Sequence, residues 1–231
     1  MDTVDNKPQK SEKTAILGVF AKQPLTGQCK TRLCPPLSLA EAAEFYACCL
    51  RETVTRLQSA ASSYQLAICY AGERSWFEQE FPGVTLVPQQ GDDLGARMAT
   101  ALHDFLQQGY RQAVLVGSDS PDLPLALIEQ AISALQRADV VLAPAIDGGY
   151  LLIGASCHHP SLFSAIEWST AQVFSTSWQR IEQQNISAVQ LGSWEDLDDL
   201  PSLRRFLQRS PGTATAVYLR KHLNRYFSSG E

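Results

Sequence analysis

Short apolar runs alternate with amphipathic stretches along almost the whole chain, and no other property narrows the fold as far. Residues 14–20 (TAILGVF), 65–70 (QLAICY), 84–88 (VTLVP), 112–117 (QAVLVG), 139–144 (DVVLAP), 150–155 (YLLIGA) and 187–191 have the length and content of strands. The stretches between them carry a helical period. The clearest opens with a capping box, Ser38-Leu-Ala-Glu41. Leu39, Ala43, Tyr46, Leu50, Val54 and Leu57 then mark one apolar face. Further helices are expected over 72–81, 94–109 (with Gly109 as a C-cap), 125–138, 170–185, 200–210 and 213–226. Strands that alternate with helices predict an α/β fold with a mostly parallel sheet. No repeat, low-complexity block or linker divides the chain, so residues 14–231 read as one domain. Residues 1–13 are polar, lack the apolar core of a signal peptide, and read as a disordered tail.

In an open α/β sheet ligands sit beyond the carboxyl ends of the strands, so the polar residues just after each strand carry the functional question. The loop after the first strand, AKQPLTGQCKTRL, holds Lys22, Lys30, Thr31 and Arg32, and no acid occurs from Thr14 to Ala40. Gly27 permits close backbone approach, and the cations offer charge-assisted bonds to phosphate oxygens. The loop is neither a Walker A nor a GxGxxG sequence. After the fourth strand comes Gly117-Ser-Asp-Ser-Pro-Asp122. Asp119, nearest the strand end, is placed to hold Mg²⁺ or Mn²⁺ together with phosphates. Asp122 is a pocket acid or a helix N-terminal acid.

Asp147-Gly148-Gly149-Tyr150 combines a carboxylate with room for a ligand, or is simply a tight turn. Glu195-Asp196-Leu197-Asp198-Asp199 packs four acids into five residues: a metal or catalytic cluster, or the N-cap of the next helix. Asp92 or Asp93 caps another helix, while Arg97 reaches for an anion. Trp168 lines a pocket, and Ser169 caps a helix or lines the same pocket. Cys157-His158-His159 is not expected to bind zinc, since neighbouring residues converge poorly on one ion. No GxSxG elbow is present.

Composition limits the partners. With 19 basic and 24 acidic residues the formal charge is −5, which argues against nucleic acid as a partner. No apolar run approaches the ~20 residues of a membrane span. The six cysteines form no CxxC pair and read as free thiols of a reducing cytoplasm. The charge is unevenly spread: three cations and no acid over 14–40, four acids and no cation over 192–203. Brought to one sheet edge, they would set a basic phosphate cradle against an acidic metal shelf.

FAKQPLTGQCKTRL, GDDLGARM, VLVGSDSPDLP, APAIDGGYLLIG, WST and the late DLD, in this order over residues 15–203, together resemble one bacterial family. It is the small GT-A-like transferase family called radical-SAM/selenodomain-associated transferase, or arsenosugar-biosynthesis glycosyltransferase. More distantly the chain is similar to 2-phospholactate and molybdenum cofactor guanylyltransferases. The resemblance implies a nucleotide-diphospho-sugar transferase fold, a Rossmann-like three-layer α/β/α sandwich with a mostly parallel central sheet. It implies nucleotide phosphates on Lys22, Gly27, Lys30, Thr31, Arg32 and Arg97. Mg²⁺ or Mn²⁺ would sit on Asp119 and Asp196, with Asp147 and Asp198 as catalytic carboxylates. Asp122, Gly148, Gly149, Trp168 and Ser169 would line the substrate pocket. The implied activity is metal-dependent glycosyl transfer from a nucleotide sugar to a small acceptor. Nucleotidyl transfer from a nucleoside triphosphate is the alternative; a homodimer stays open. One departure stands out: the family's DVDTPEDL reads DLDDLPSL here (residues 196–203), with Asp199 in place of Thr and Ser202 in place of an acid.

Overall fold

The computed structural model describes residues 14–227, so the tail expected over 1–13 lies outside the described residues. Seven strands form one sheet: β1 (Ala15–Lys22), β2 (Tyr64–Ala71), β3 (Thr85–Pro88), β4 (Gln112–Gly117), β5 (Val140–Pro144), β6 (Tyr150–Ala155) and β7 (Ala188–Gln190). Their order is β3-β2-β1-β4-β6-β5-β7. All neighbouring pairs are parallel except those of β6, which runs against both β4 and β5. The predicted mostly parallel α/β sheet is therefore present, with one reversed strand.

Among the described residues five α-helices connect strands, α1 (Leu39–Ser59), α2 (Arg74–Glu80), α3 (Leu94–Gln107), α4 (Leu125–Ala134) and α5 (Val173–Gln183), and two follow β7, α6 (Leu200–Arg209) and α7 (Ala214–His222). Successive strand residues point to opposite faces, and both faces are covered. Leu17, Val19, Val114 and Val116 pack with α1, α2 and α4, whereas Ile16, Ala113 and Leu115 pack with α3 and α5. A third cluster joins the far side of α1 (Phe45, Cys49) to α6 and α7 (Leu203, Phe206, Leu219). Helix α1 is thus buried on two sides. Each of its fully covered large side chains contributes about 1.5–3 kcal/mol relative to exposure.

Several helices are shorter than their periodicity predicts, for local reasons. The Ser38–Glu41 capping box opens α1 as expected. Helix α5 starts at Val173 rather than residue 170. Ser169 is left-handed (φ 66°), and the Thr170 hydroxyl accepts from the Gln172 amide at 3.4 Å, an alternative to helical bonding. Helix α4 stops at Ala134, where bonds of the Gln136 N–H to Ser133 and the Arg137 N–H to Ala134 tighten the chain into a turn before β5. A 3₁₀ turn over Asn224–Tyr226 replaces the last part of the expected terminal helix. All six cysteines are free thiols. Among the described residues no helix is long and apolar enough to cross a membrane.

Candidate active site

The register of the sheet assembles the site. Parallel pairing of β1 with β4 sets Phe20 opposite Gly117, so the basic loop leaves the sheet beside Ser118 and Asp119. The late acidic segment arrives from β7. Trp194 bridges to Ala145, and the Leu197 amide donates to the Asp119 carbonyl at 3.2 Å. With Leu197 fully buried, its neighbours Asp196 and Asp198 face out into a cleft of about 880 Å³. That volume lies within the range of small-molecule sites.

The separated charges of the sequence do converge. Lys30 Nζ donates to Asp119 Oδ2 at 3.1 Å and to Asp198 Oδ1 at 2.6 Å, and the Lys30 side chain is only 5% exposed. Arg32 donates to Asp198 Oδ2 at 3.1 Å and lies 3.9 Å from Asp147 Oδ2. Burial by itself would weaken the Lys30 charge. The two carboxylates overcome it and raise its pKa. Lys30 also has a left-handed backbone (φ 49°), a conformation that costs an L-residue about 1–3 kcal/mol. For Asp119 burial again opposes charge, but Lys30 outweighs it and keeps the carboxyl below its usual range.

Asp196 makes no ion pair among the described residues, and the more distant Lys30 offsets its neighbours only in part. Burial, then repulsion from Asp198 and Asp119, pushes its carboxyl up to about 7. Ligand oxygens of Asp119, Asp196 and Asp198 all lie within 4.8 Å of one another. Three hard oxygen donors, one of them short of positive charge, fit Mg²⁺ or Mn²⁺. The raised pKa also gives a pH dependence. Between about 4 and 7 the folded protein binds a proton that the unfolded chain has released. Asp196 should therefore make a contribution to stability that is lost as pH rises through that window, and Mg²⁺ or Mn²⁺ should reduce the loss. Thermal melting of the unaltered protein and of Asp196→Asn from pH 4 to 8, with and without cation, isolates this contribution from acids with lowered pKa such as Glu195; identical pH profiles in the two proteins would remove the raised acid.

The four-acid cluster divides cleanly. Glu195 is turned away from the cleft and bonded to Arg205 (2.8 Å) and Arg209. Asp199 caps α6, accepting from the Ser202 amide at 2.7 Å while Ser202 Oγ accepts from the Asp199 amide at 3.1 Å. The departure from the family's late motif is thus an exchange of roles within one capping box. A carboxylate replaces the hydroxyl at the N-cap, a hydroxyl replaces the acid three residues on, and both amides stay satisfied. Asp196 and Asp198 are untouched by it.

Lys22, Lys30, Thr31, Arg32, Arg97, Asp119, Asp147, Gly149, Trp168, Ser169, Asp196 and Asp198 all line the cleft. Asp93 is the cap of α3, accepting from the Ala96 amide at 2.7 Å. Three expected residues do not reach the wall. Asp122 is buried under Trp194 and bonded to Arg209 Nε at 2.6 Å and Ser210 Oγ at 2.7 Å, so it is a structural acid. Gly27 (φ 79°) forms the corner of a turn closed by the Gln28 amide on the Leu25 carbonyl. Gly148 (φ 93°) serves packing: a Cβ there would lie 2.1 Å from the Ala171 carbonyl oxygen.

Two contributors were not read from the sequence. The Tyr46 hydroxyl lies 2.7 Å from Ser118 Oγ and accepts from the Lys22 amide at 3.1 Å, tying β1 to β4 at the cleft floor. Tyr46 falls on the apolar stride of α1, and nothing local marks its hydroxyl. Gln89 Nε2 donates to the carbonyls of Ala21 (3.1 Å) and Cys69 (2.8 Å), joining β1 and β2. Its place just after β3 was the available signal.

The structure is similar to the crystal structure of a candidate nucleotide-diphospho-sugar transferase from Desulfovibrio desulfuricans G20. The TM-score is 0.84 and the identity 32%, covering 93% of this chain and 97% of that one. At the level of fold it is also similar to CMP:2-keto-3-deoxy-manno-octonic acid synthetase complexed with CTP (TM-score 0.54, 11% identity, 90% of this chain and 99% of that one). A cytidylyltransferase from Leptospira borgpetersenii serovar Hardjo-bovis gives a TM-score of 0.52 at 10% identity, over 94% and 98% of the two chains. No curated protein matches the chain. These similarities bear out the expected nucleotide-diphospho-sugar transferase fold and accord with the resemblance carried by the sequence motifs. The family described as "uncharacterized protein conserved in bacteria" (DUF2064) matches residues 53–170, and the chain belongs to that family.

Proposed function

We propose that the protein is a transferase that binds a nucleotide-diphosphate sugar in this cleft and passes the sugar to a small-molecule acceptor. The observation that carries the reading is the facing of Lys30 and Arg32 against Asp119, Asp196 and Asp198 at the carboxyl end of the sheet. Asp119, Asp196 and Asp198 would hold Mg²⁺ or Mn²⁺. The bound cation supplies charge neutralisation for the departing nucleoside diphosphate. Arg32, more than half exposed at the mouth, donates to phosphate oxygens, as do Lys22 and Arg97. Lys30 keeps Asp119 and Asp198 together beneath them. Asp147, beside Arg32 at the rim, accepts the proton of the acceptor hydroxyl. Trp168, Ser169 and Gly149 border the sugar and acceptor. Six free thiols suit a reducing cytoplasm.

The same cleft suits a nucleoside triphosphate, with a phosphorylated acceptor attacking its α-phosphate. The products separate the two readings: a free nucleoside diphosphate marks sugar transfer, pyrophosphate marks nucleotidyl transfer. A thermal-shift screen of nucleotides and sugar nucleotides, with and without Mn²⁺, comes first. A ligand at 100 times its Kd should add about 2.7 kcal/mol of stability. Failure of every nucleotide to shift the melt would sink both readings.

A further inference from the structure

We propose that Asp139, Cys157 and His159 form a binding site for a zinc-class transition-metal ion, at the end of the sheet opposite the cleft. The sequence argument against zinc rested on neighbouring residues failing to converge. The chain turn after β6 removes that objection. Cys157 Sγ lies 3.0 Å from His159 Nε2, and Asp139 Oδ2 lies 4.0 Å from the same nitrogen. All three donor atoms fall within 4.8 Å of one another. Donors around one tetrahedral zinc ion stand about 3.4–3.6 Å apart, given bonds of about 2.3 Å to sulfur and 2.0–2.2 Å to nitrogen or oxygen. The present spacings bracket that range, so small rotations of these partly exposed side chains suffice to close the site.

The backbone beneath the donors is fixed. The Asp139 amide donates to the Ser187 carbonyl at 2.8 Å, and the Asp139 carbonyl accepts from the Ser156 amide at 2.9 Å. Cys157 therefore leaves the sheet beside Asp139. His159 directly precedes the 3₁₀ turn Pro160–Phe163, which Leu162 and Phe163 anchor in the core. His158 faces elsewhere, its ring 4.3 Å from that of His103, and is not a donor.

The donor set selects the ion. A thiolate with an imidazole favours zinc over Mg²⁺ or Mn²⁺, which the all-oxygen cleft suits. Cys157 would bind as thiolate, its proton leaving to solvent. Three protein donors leave a fourth position for water. The ion would clasp the start of β5 to the end of β6 and the following turn, remote from transfer chemistry.

Cobalt titration of the reduced, chelator-treated full chain tests this. One equivalent of Co²⁺ should produce a thiolate-to-cobalt charge-transfer absorption in the near ultraviolet, and one equivalent of Zn²⁺ should bleach it. Cys157→Ser should abolish the band and Asp119→Asn should keep it, which separates this site from the cleft. Asp139→Asn and His159→Gln should each weaken Co²⁺ binding by tenfold or more, and their metal-free melting temperatures establish that they fold. Absence of the band in the unaltered protein, or its survival in Cys157→Ser, would overturn the proposal.

Discussion

Asp119→Asn should lower turnover by about 10²-fold or more, the scale of loss when one preorganised charge interaction at a transition state is removed. Three structural facts make this carboxylate the sensitive one. It sits one residue beyond Ser118 at the end of β4, it bonds the buried Lys30 ammonium, and it shares a 4.8 Å cluster with Asp196 and Asp198. The asparagine keeps the shape and one acceptor oxygen while removing the charge. Lys30 retains Asp198 as a partner at 2.6 Å, so the fold should survive. The readout is release of nucleoside diphosphate or pyrophosphate from the donor found in the nucleotide screen, beside circular dichroism of the variant. Near-normal turnover would remove Asp119 from the site.

Arg209→Ala should cost about 3–5 kcal/mol of stability, the range seen when one partner is removed from a buried ion pair. Arg209 binds Asp122 and Glu195 together, and these two side chains are only 5% and 9% exposed. Its guanidinium also lies 5.3 Å from the Trp194 ring centre. Without it Asp122 keeps only Ser210 and Trp194 as hydrogen-bond partners. Burial opposes the Glu195 charge, but Arg205 and Arg209 prevail and lower its pKa. A lowered carboxyl stabilises the fold above its unfolded pKa, and that contribution is lost as pH falls through the folded value. Urea denaturation should show the midpoint falling with an unchanged slope. A loss below about 1 kcal/mol would mean that solvent, not Arg209, satisfies these acids.

The same residues mark how far the sequence could be read. The strands were legible because a sheet buried on both faces needs continuous apolar runs, and QAVLVG is one. The reversal of β6 was not: YLLIGA has the same pattern in either direction, and only the Asp-Gly turn hinted at it. Acids after strands were legible as a class. Asp119 was singled out by its place nearest the strand end, and Asp147, Asp196 and Asp198 by their place in loops after strands. That Asp122 would be withdrawn from the cleft was not legible, because its partner Arg209 lies 87 residues away. Glu195 and Asp196 are adjacent, and the burial of Leu197 and the reach of α6 assign them opposite roles. The convergence of the basic and acidic ends was anticipated from charge distribution alone; that Lys30 would lie buried between two of the acids was not.

The reversed strand has a further consequence. Because β6 returns antiparallel to β5, one hairpin visits both poles of the molecule. Its turn, Asp147–Gly149, forms part of the cleft rim, and its open end carries Asp139 and Cys157. Side chains alternate along each strand, so a slip of one residue would drive Leu142 and Ile153 into the core now filled by Val141 and Leu152, and carry the Asp147 carboxylate off the rim. The paired stretch from Val140 to Ala143 separates the two poles by the length of one strand, so a single hairpin spans the sheet from the cleft rim to the far end.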